Sequence, residues 1–276
     1  MLLEIAGISK QIYHYEIKHC NDKANKDMFY EDLILEIYKS NYRKYGIPRI
    51  TIELNRRLLN LGLPKINHKR VERLMIKLGI QARPKQRKYV SYKGTVGRIA
   101  PNLLDRNFST EHPYQKIGTD VTVFIMPFGK LYLSPIIDFH TREVLSYDLS
   151  ESPDFRQIRN MFDQLVEKHG INVSGAIMHS DQGWQYQMEK YRLKLAELKI
   201  AQSMSRKGNC LDNSPTENFF GRMKEEMFYG KEHLYKTMSE LKRAINEYIE
   251  YYNYIRIVNR LQMSPVEYRL TNSGLI

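Results

Sequence analysis

Three acidic residues stand out because none of them lies on a predicted solvated face. Asp120 lies inside a predicted strand (GTDVT), Asp181 follows another (HSDQG), and Glu217 lies in the first turn of a helix that begins near Ser214. Three carboxylates in one pocket need a cation, and oxygen ligands without Cys or His favour Mg²⁺ or Mn²⁺. Two such ions, about 3.5–4 Å apart, activate a hydroxyl nucleophile and stabilise the leaving oxygen at a phosphorus. The three residues are therefore candidate catalytic and metal-binding residues for phosphodiester chemistry.

Each carboxylate also has an ordinary structural explanation. Asp120 could occupy a β-bulge, and Asp181 could be a turn residue. The segment 214–217 (SPTE) reads as a complete capping box, with serine as N-cap, proline at N1 and glutamate at N3. Asp138 in IIDFH and Asp212, just before the last of these helices, are competing carboxylates. Pattern alone leaves these alternatives open.

The elements around the carboxylates follow a regular order from residue 113 onward. Three apolar runs (KIGTDVTVFIM, KLYLSPIIDF and EVLSYDLS) are separated by short breaks and predict antiparallel strands. A helix follows that ends at Gly170, with its apolar face formed by Ile158, Met161, Phe162, Leu165 and Val166. A strand (GAIMHSD), a helix, a strand (AQSMS) and the helix from Ser214 complete the order β-β-β-α-β-α-β-α.

This order is that of the ribonuclease H-like fold, an α/β architecture with a mixed five-stranded sheet and flanking helices. In such a sheet the first and fourth strands can be neighbours. Asp120 and Asp181 would then project from adjacent strands, and a helix end would bring Glu217 over them. We predict this core over residues 113–235.

The N-terminal part of the chain has helical periodicity. Three apolar stripes separated by Gly and Pro predict a helix-turn-helix domain over residues 31–80, after a helical segment over 1–30. The stripes are Leu33, Ile34, Ile37 and Tyr38; Ile50, Leu54, Leu58 and Leu61; and Val71, Leu74, Met75 and Leu78. Any small helical bundle would show similar stripes, but the third helix also carries a basic face.

The positive charge is concentrated in one block. The net charge is +12, and residues 39–98 contain 17 basic and 2 acidic side chains, whereas residues 1–38 carry a net −3 and residues 99–276 are neutral. Such a block favours nucleic acid as the partner, although charge runs are often only solvated faces. The candidate DNA-binding residues are Arg56, Arg57, Lys69, Arg70, Arg73, Lys77, Arg83, Lys85, Arg87 and Lys88.

A basic linker is predicted over residues 81–112, either a tether or a phosphate-tracking segment. A helical extension is predicted over 236–276, opened by a capping box from Thr237 to Glu240. Its narrow apolar seam could pack on the core or on another subunit. The seam consists of Leu241, Ile245, Tyr248, Tyr252 and Ile255.

The cysteines and the apolar runs bear on the cellular compartment. Cys20 and Cys210 are 190 positions apart without a CxxC pattern, which argues against a zinc knuckle or a disulfide scaffold. Glu4 interrupts the stretch in which a signal peptide would need an unbroken apolar segment. We expect a protein of the reducing cytoplasm without a membrane partner.

The spacing of the acidic residues resembles a known signature. Sixty residues separate Asp120 from Asp181, 35 separate Asp181 from Glu217, and Lys224 follows seven positions later. This resembles the DD(35)E pattern of retroviral-type integrases and insertion-sequence transposases. TDVT, GKLYLSPIIDF, HSDQGWQY, SMSRKGNCLDNSPTENFFGRMKEE and YNYIRIVNRLQMSPVEY resemble, in order, the motifs of second-frame (OrfB) transposases of the insertion-sequence-three family. YRKYGIPRI and VERLMIKLGI resemble that family's helix-turn-helix, so the likeness covers roughly residues 30–270.

The resemblance implies roles for individual residues. Asp120, Asp181 and Glu217 would form the catalytic triad that binds two Mg²⁺ or Mn²⁺ ions. Lys224 would contact the DNA end, and Asn213 matches a family position near the site and the DNA. The departures are small: Thr216 and Asn218 flank Glu217 where relatives often carry other residues, and Pro48 replaces a residue that is more often Arg or His.

The resemblance also implies an activity and partners. The protein would cut one strand at terminal inverted repeats, and the freed 3′-hydroxyl would attack another phosphodiester by transesterification. The expected partners are terminal-repeat and target DNA, further copies of the chain in a synaptic complex, and the upstream-frame (OrfA) product, which frameshifting can fuse to this part. The expected location is the nucleoid in the bacterial cytoplasm. The alternatives are a ribonuclease H-like nuclease without strand transfer and a DNA-binding regulator with an inactive core.

Overall fold

The computed structural model describes residues 27–80, 98–152, 155–206 and 210–272. The chain divides into two compact units, residues 1–84 and 85–276. The predicted helical segment before residue 27, the basic residues Arg83, Lys85, Arg87 and Lys88, and Cys20 lie outside the described residues. Across the four ranges, every helix falls short of the length and hydrophobicity that a bilayer-spanning segment needs.

The first unit contains the three predicted helices. They are α1 over 27–40, α2 (Ile47–Asn60) and α3 (His68–Lys77). Most of the predicted stripe residues are fully buried, among them Ile34, Ile37, Ile50, Leu54, Leu58, Val71 and Leu74. Leu61 is an exception, because α2 ends at Asn60 and leaves Leu61 as an exposed C-cap.

The ends of these helices follow simple stereochemical rules. Pro48 lies in the first turn of α2, where its missing N–H is not needed for a helical hydrogen bond, so it fits the turn without distortion. Asn67 caps α3, and its side-chain oxygen accepts a hydrogen bond from the Arg70 amide at 2.9 Å. Gly79 follows α3 with a φ of +65°, the left-handed conformation common after a helix.

The second unit is built on one mixed sheet. Its strands are β1 (Lys116–Thr119), β2 (Thr122–Met126), β3 (Gly129–Asp138), β4 (Val144–Ser150), β5 (Ile177–Ser180) and β6 (Ala201–Met204). β3 pairs antiparallel with β1, β2 and β4, whereas β1 pairs with β5, and β5 with β6, in parallel. The predicted neighbourhood of the first and fourth predicted strands is therefore confirmed by the pairing of β1 with β5.

The first predicted strand is interrupted. β1 and β2 keep one register against β3, since Thr119 is opposite Ile136 and Thr122 is opposite Leu133. The six strands thus occupy five positions across the sheet, as predicted. The expectation that Asp120 lies inside a strand was wrong, because Asp120 and Val121 form the break between β1 and β2.

Helices cover the sheet. They are α4 (Phe155–His169), α5 (Trp184–Gln187), α6 (Glu189–Glu197), α7 (Ser214–Met223), α8 (Met238–Tyr254) and α9 (Pro265–Asn272). α4 packs on β3 and β4 and ends before Gly170, as predicted. Its face buries Ile158, Met161, Phe162 and Leu165, but Val166 is 38% exposed at the margin of the stripe. The mixed sheet, its flanking helices and the separate helical unit confirm the predicted fold class.

The described part of the predicted linker, residues 98–112, lies against the core. The Leu103 amide donates to Ser203 Oγ at 2.9 Å, and the Met204 amide donates to the Pro101 carbonyl at 3.2 Å. Leu104 is buried. This stretch therefore packs beside β6 and is not a free tether.

The C-terminal extension begins as predicted. Thr237 caps α8, and its hydroxyl accepts from the Glu240 amide at 3.2 Å. The seam residues Leu241, Ile245, Tyr248 and Tyr252 are buried, and α8 packs against β4 and α9. Ile255 is exposed because the helix ends at Tyr254. Of the two alternatives for the seam, packing on the chain's own core is the one observed.

Candidate active site

Asp120 and Asp181 lie at equivalent ends of two paired strands. Gly118 is opposite His179 in the parallel ladder of β1 and β5, and each aspartate comes two residues after that pair. Asp120 Oδ1 accepts from the Val121 amide at 2.7 Å, and Asp181 Oδ1 accepts from the Gly183 amide at 2.8 Å. Each carboxylate is thus held by its own local backbone at the edge where the two strands end.

Glu217 reaches this edge because α7 begins against β1. A Cβ on Gly118 would lie 2.7 Å from Thr216 Oγ1 and 2.4 Å from ring atoms of Phe139. Only glycine allows this close approach. The residue next to Thr216 is Glu217, in the first turn of α7. The helix end therefore lies over the strand that leads into Asp120.

The predicted capping box at this helix is not formed. The N-cap is Asn213 rather than Ser214, and no side chain makes a capping hydrogen bond. Asn213 Nδ2 instead donates to Asp120 Oδ2 at 3.3 Å, and the side chain is only 3% exposed. Asn213 therefore contacts a candidate catalytic carboxylate from a buried position; the family resemblance placed Asn213 near the site but did not identify this partner.

The electrostatics of this edge disfavour three charged carboxylates. Burial, together with the charges of Asp181 and Glu217, raises the pKa of Asp120 well above its usual range, against the opposing effects of Val121 N–H and Lys224. Burial also raises the pKa of Asp181, and the hydrogen bond from Gly183 opposes this. A bound cation would relieve the repulsion, so the donor set fits a hard divalent ion.

The carboxylates are not arranged as a finished metal site. Within the described ranges, no three His, Cys, Asp or Glu side chains are gathered closely enough to hold one ion. Metal binding would therefore require these side chains to turn toward a shared point.

Lys224 lies close enough to Asp120 for their charges to interact. Its Nζ donates to the Val123 carbonyl at 2.7 Å and lies 5.1 Å from the centroid of the Phe124 ring. Burial lowers the pKa of Lys224 to about 8, although the charge of Asp120 opposes the shift. The candidate DNA-contacting lysine is thus packed against β2, directly after the strand break.

The two competing carboxylates have structural roles. Asp138 is fully buried and accepts hydrogen bonds from Tyr114 N and from the amide and hydroxyl of Thr141, which holds the turn between β3 and β4. Asp212 accepts from Arg206 Nε and Arg106 Nε, both at 2.9 Å. Hydrogen bonds from Arg206 hold the pKa of Asp212 well below its usual range.

Most of the predicted DNA-binding cations in the first unit pair with acidic side chains. Arg70 and Arg73 both contact Asp27, at 2.9 and 2.8 Å, and Lys77 contacts Glu31 at 2.6 Å. Arg57 pairs with Glu36 at 2.8 Å, and Arg56 lies 4.0 Å from Glu53, whereas Lys69 is exposed.

The acidic partners on α1 were not predicted from the sequence. Asp27 and Glu31 are four residues apart and therefore share one helix face, and the acidic excess of residues 1–38 was the available signal.

Family models match most of the chain. Two models described as "Integrase core domain" match residues 110–210 and 217–272. A model described as "HTH-like domain" matches residues 25–88.

Curated relatives cover between 74% and 97% of the chain. The putative transposase InsK of insertion sequence element IS150 from Escherichia coli K12 is 46% identical over 97% of this chain and 92% of its own length. An uncharacterised transposase-like protein from Haemophilus influenzae is 52% identical over 74% of this chain and 94% of its own. The transposase InsF of IS3A from Escherichia coli K12 is 30% identical over 80% of this chain and 74% of its own. The chain therefore belongs to the insertion-sequence-three (IS3) family of transposases, enzymes of the DDE integrase type.

Proposed function

We propose that this transposase cuts one DNA strand at terminal inverted repeats and transfers the freed 3′-hydroxyl to a target phosphodiester, with Asp120, Asp181 and Glu217 as its catalytic residues. The observation that carries the proposal is the meeting of β1, β5 and the start of α7 at one edge of the sheet. The raised pKa values of Asp120 and Asp181 support the proposal, because a bound cation would offset the cost of their buried charges.

The three carboxylates would hold Mg²⁺ or Mn²⁺, two ions in the complete site. Bound there, such ions activate the attacking hydroxyl and stabilise the leaving oxygen of a phosphodiester. Asp120 and Asp181 supply oxygens from the rigid sheet, and Glu217 supplies oxygens from the helix. The reaction exchanges one P–O bond for another and needs neither ATP nor a covalent intermediate with the protein.

The neighbours of the triad have supporting roles in this proposal. Asn213 orients Asp120 through the hydrogen bond from its Nδ2. Lys224 binds a phosphate of the DNA end, since its ammonium lies in a partly desolvated position where its attraction to an anion is stronger than in water.

The helical unit would bind the terminal-repeat DNA. Arg73 and Lys77 remain more than 60% exposed despite their ion pairs with Asp27 and Glu31. DNA phosphates would replace Asp27 and Glu31, which are only 14% and 13% exposed, as the partners of these two cations. Lys69 is already exposed at the N-terminal end of α3, the end that contacts base edges in helix-turn-helix proteins.

Family membership supports further partners. Two DNA ends must be joined in one reaction, so several copies of the chain would assemble on them. The upstream-frame (OrfA) product, alone or fused by frameshifting, would join this assembly. Co-purification of tagged OrfA product with this chain on paired terminal-repeat DNA tests the second partner.

A strand-transfer assay on labelled duplex ends tests the proposed activity. The full-length chain is incubated with terminal-repeat duplexes, target DNA and Mg²⁺. Joined products that disappear in EDTA support a transposase. Cleavage without joining would indicate a nuclease, and DNA binding without either reaction would indicate a regulator.

A further inference from the structure

A buried carboxylate lies two residues after Lys224. After Met223, α7 continues as a π-helical turn over Lys224–Phe228, closed by a hydrogen bond from the Tyr229 amide to the Lys224 carbonyl at 2.7 Å. Glu226 lies inside this turn and is only 6% exposed. A π turn within a helix is uncommon and frequently marks a functional position. A buried glutamate needs partners that offset its loss of hydration.

Two side chains of the C-terminal extension hold the Glu226 carboxylate. Arg256 donates from Nε to Oε2 at 2.7 Å and from Nη2 to Oε1 at 2.5 Å, so the pair is bidentate. Tyr248, on α8, donates its hydroxyl to Oε2 at 2.8 Å. Arg256 is 1% exposed. It belongs to the YNYIRIVNRLQMSPVEY motif, to which the proposed chemistry assigns no role.

The other side of the same π turn contacts β2. Lys224, its first residue, donates to the Val123 carbonyl, and Phe228, its last, packs edge-to-face on Phe124 with ring centroids 5.0 Å apart. β2 begins two residues after Asp120. One short turn is therefore held from two directions, by the strand next to the candidate site and by the C-terminal extension.

We propose that Arg256 is a positioning residue for Lys224: through Glu226 it holds the π turn in the conformation that keeps the Lys224 ammonium beside Asp120, where it meets the DNA phosphate. The inference rests on the proposed function, because it assigns Arg256 an effect on strand transfer through Lys224. Arg256 itself is buried and contacts neither DNA nor the reacting atoms.

The test separates positioning from folding. The variant Glu226→Met/Arg256→Met/Tyr248→Phe replaces the polar cluster by apolar groups of similar size, which leaves no buried charge unpaired. We expect a thermal unfolding midpoint close to that of the wild type, but strand transfer reduced roughly 10- to 100-fold, as for Lys224→Ala, the loss expected for one charged hydrogen bond. The matched control is Arg243→Met/Glu247→Met, which removes an exposed ion pair on α8 and should change neither property.

A double-mutant cycle with Lys224→Ala gives the decisive readout. If Arg256 acts through Lys224, the apolar cluster causes no further loss once Lys224 is alanine. Additive losses, or wild-type strand transfer by the apolar variant, would overturn the proposal. If the triple variant does not fold, Arg256→Lys replaces it in the cycle. Arg256→Lys must then lower strand transfer in the protein that has Lys224 and must not lower it further in Lys224→Ala. If the wild type forms joined products and the losses are additive, only the positioning role of Arg256 is refuted. If the wild type forms no joined products, the proposed function is refuted and this inference with it.

Discussion

Asp120 and Asp181 end two parallel strands at the same level of the sheet, because Gly118 is opposite His179 in the ladder of β1 and β5. This register brings together two carboxylates that are separated by 60 residues in the sequence. Burial raises the pKa of both carboxyls, and the charge of Asp181 raises that of Asp120 further. The same relationship accounts for the proposed chemistry and for a cost in stability, and both can be measured.

Asp120→Asn should stabilise the metal-free protein at neutral pH. A carboxyl whose pKa is raised in the folded state stabilises the fold while protonated, and that contribution is lost as pH rises through the usual aspartate value of about 4 toward the folded-state pKa. Asparagine resembles the protonated form at every pH. We expect Asp120→Asn to have a thermal unfolding midpoint about 2–4 °C above that of the wild type in EDTA at pH 7.5, and an equal midpoint near pH 3.5. If the midpoint of Asp120→Asn at pH 7.5 is equal to or below that of the wild type, the charged Asp120 carboxylate does not destabilise the fold.

Added Mg²⁺ should stabilise the wild type and not Asp120→Asn. A ligand that binds only the folded state stabilises it by about 2.7 kcal/mol at one hundred times its dissociation constant. The measurement is the unfolding midpoint against Mg²⁺ concentration. Asp163→Asn, which alters an exposed carboxylate on α4, is the control and should respond as the wild type does. Equal shifts in all three proteins would place the ion elsewhere.

Gly118→Ala should impair the enzyme through packing alone. The new Cβ would lie 2.4 Å from the Phe139 ring and 2.7 Å from Thr216 Oγ1, so the Phe139 ring and either the Thr216 side chain or α7 itself must shift. We expect a loss of about 1–3 kcal/mol in unfolding free energy by denaturant titration, accompanied by weaker strand transfer. Gly221→Ala on the same helix has open space around its Cβ and should stabilise by about 0.5–1 kcal/mol. Unchanged stability in Gly118→Ala would mean that α7 does not approach β1 this closely.

Asp27→Asn should strengthen DNA binding. Asp27 pairs with both Arg70 and Arg73, and its removal leaves both cations available to phosphates. We expect affinity for terminal-repeat duplex to rise roughly two- to fivefold, equivalent to about 0.4–1 kcal/mol, with a steeper salt dependence. Fluorescence anisotropy at several salt concentrations measures both quantities. Weaker binding would mean that Asp27 orients the arginines for DNA rather than competing with it.

The periodicity of apolar residues correctly predicted most of the buried helix faces. Stripe residues such as Leu54 and Leu58 on α2 were assigned correctly because a helical face must be buried somewhere. Leu61 and Ile255 were placed wrongly, because each lies just beyond its helix and no longer shares the face. The strand break was also missed: Asp120 Oδ1 accepts the Val121 amide hydrogen, a local contact that alternation in hydrophobicity does not register.

Long-range polar pairs could not be predicted from the sequence. Glu226 and Arg256 are 30 residues apart, and nothing in the pattern distinguishes either from a solvated charge. The contact of Asn213 with Asp120 depends likewise on how α7 meets the sheet. The triad itself was identified by spacing that resembles a family signature, since each carboxylate alone also fitted a structural role.

The strand-transfer yields of Asp120→Asn, Asp181→Asn and Glu217→Gln test the central claim most directly. Each variant is assayed with Mg²⁺ on labelled terminal-repeat duplexes beside the wild type and Asp163→Asn, and DNA binding is measured in parallel. We predict that all three lose cleavage and joining while binding the duplex as the wild type does, and that Asp163→Asn keeps full activity. Joining at the wild-type level by any of the three would contradict the assignment of these carboxylates to catalysis.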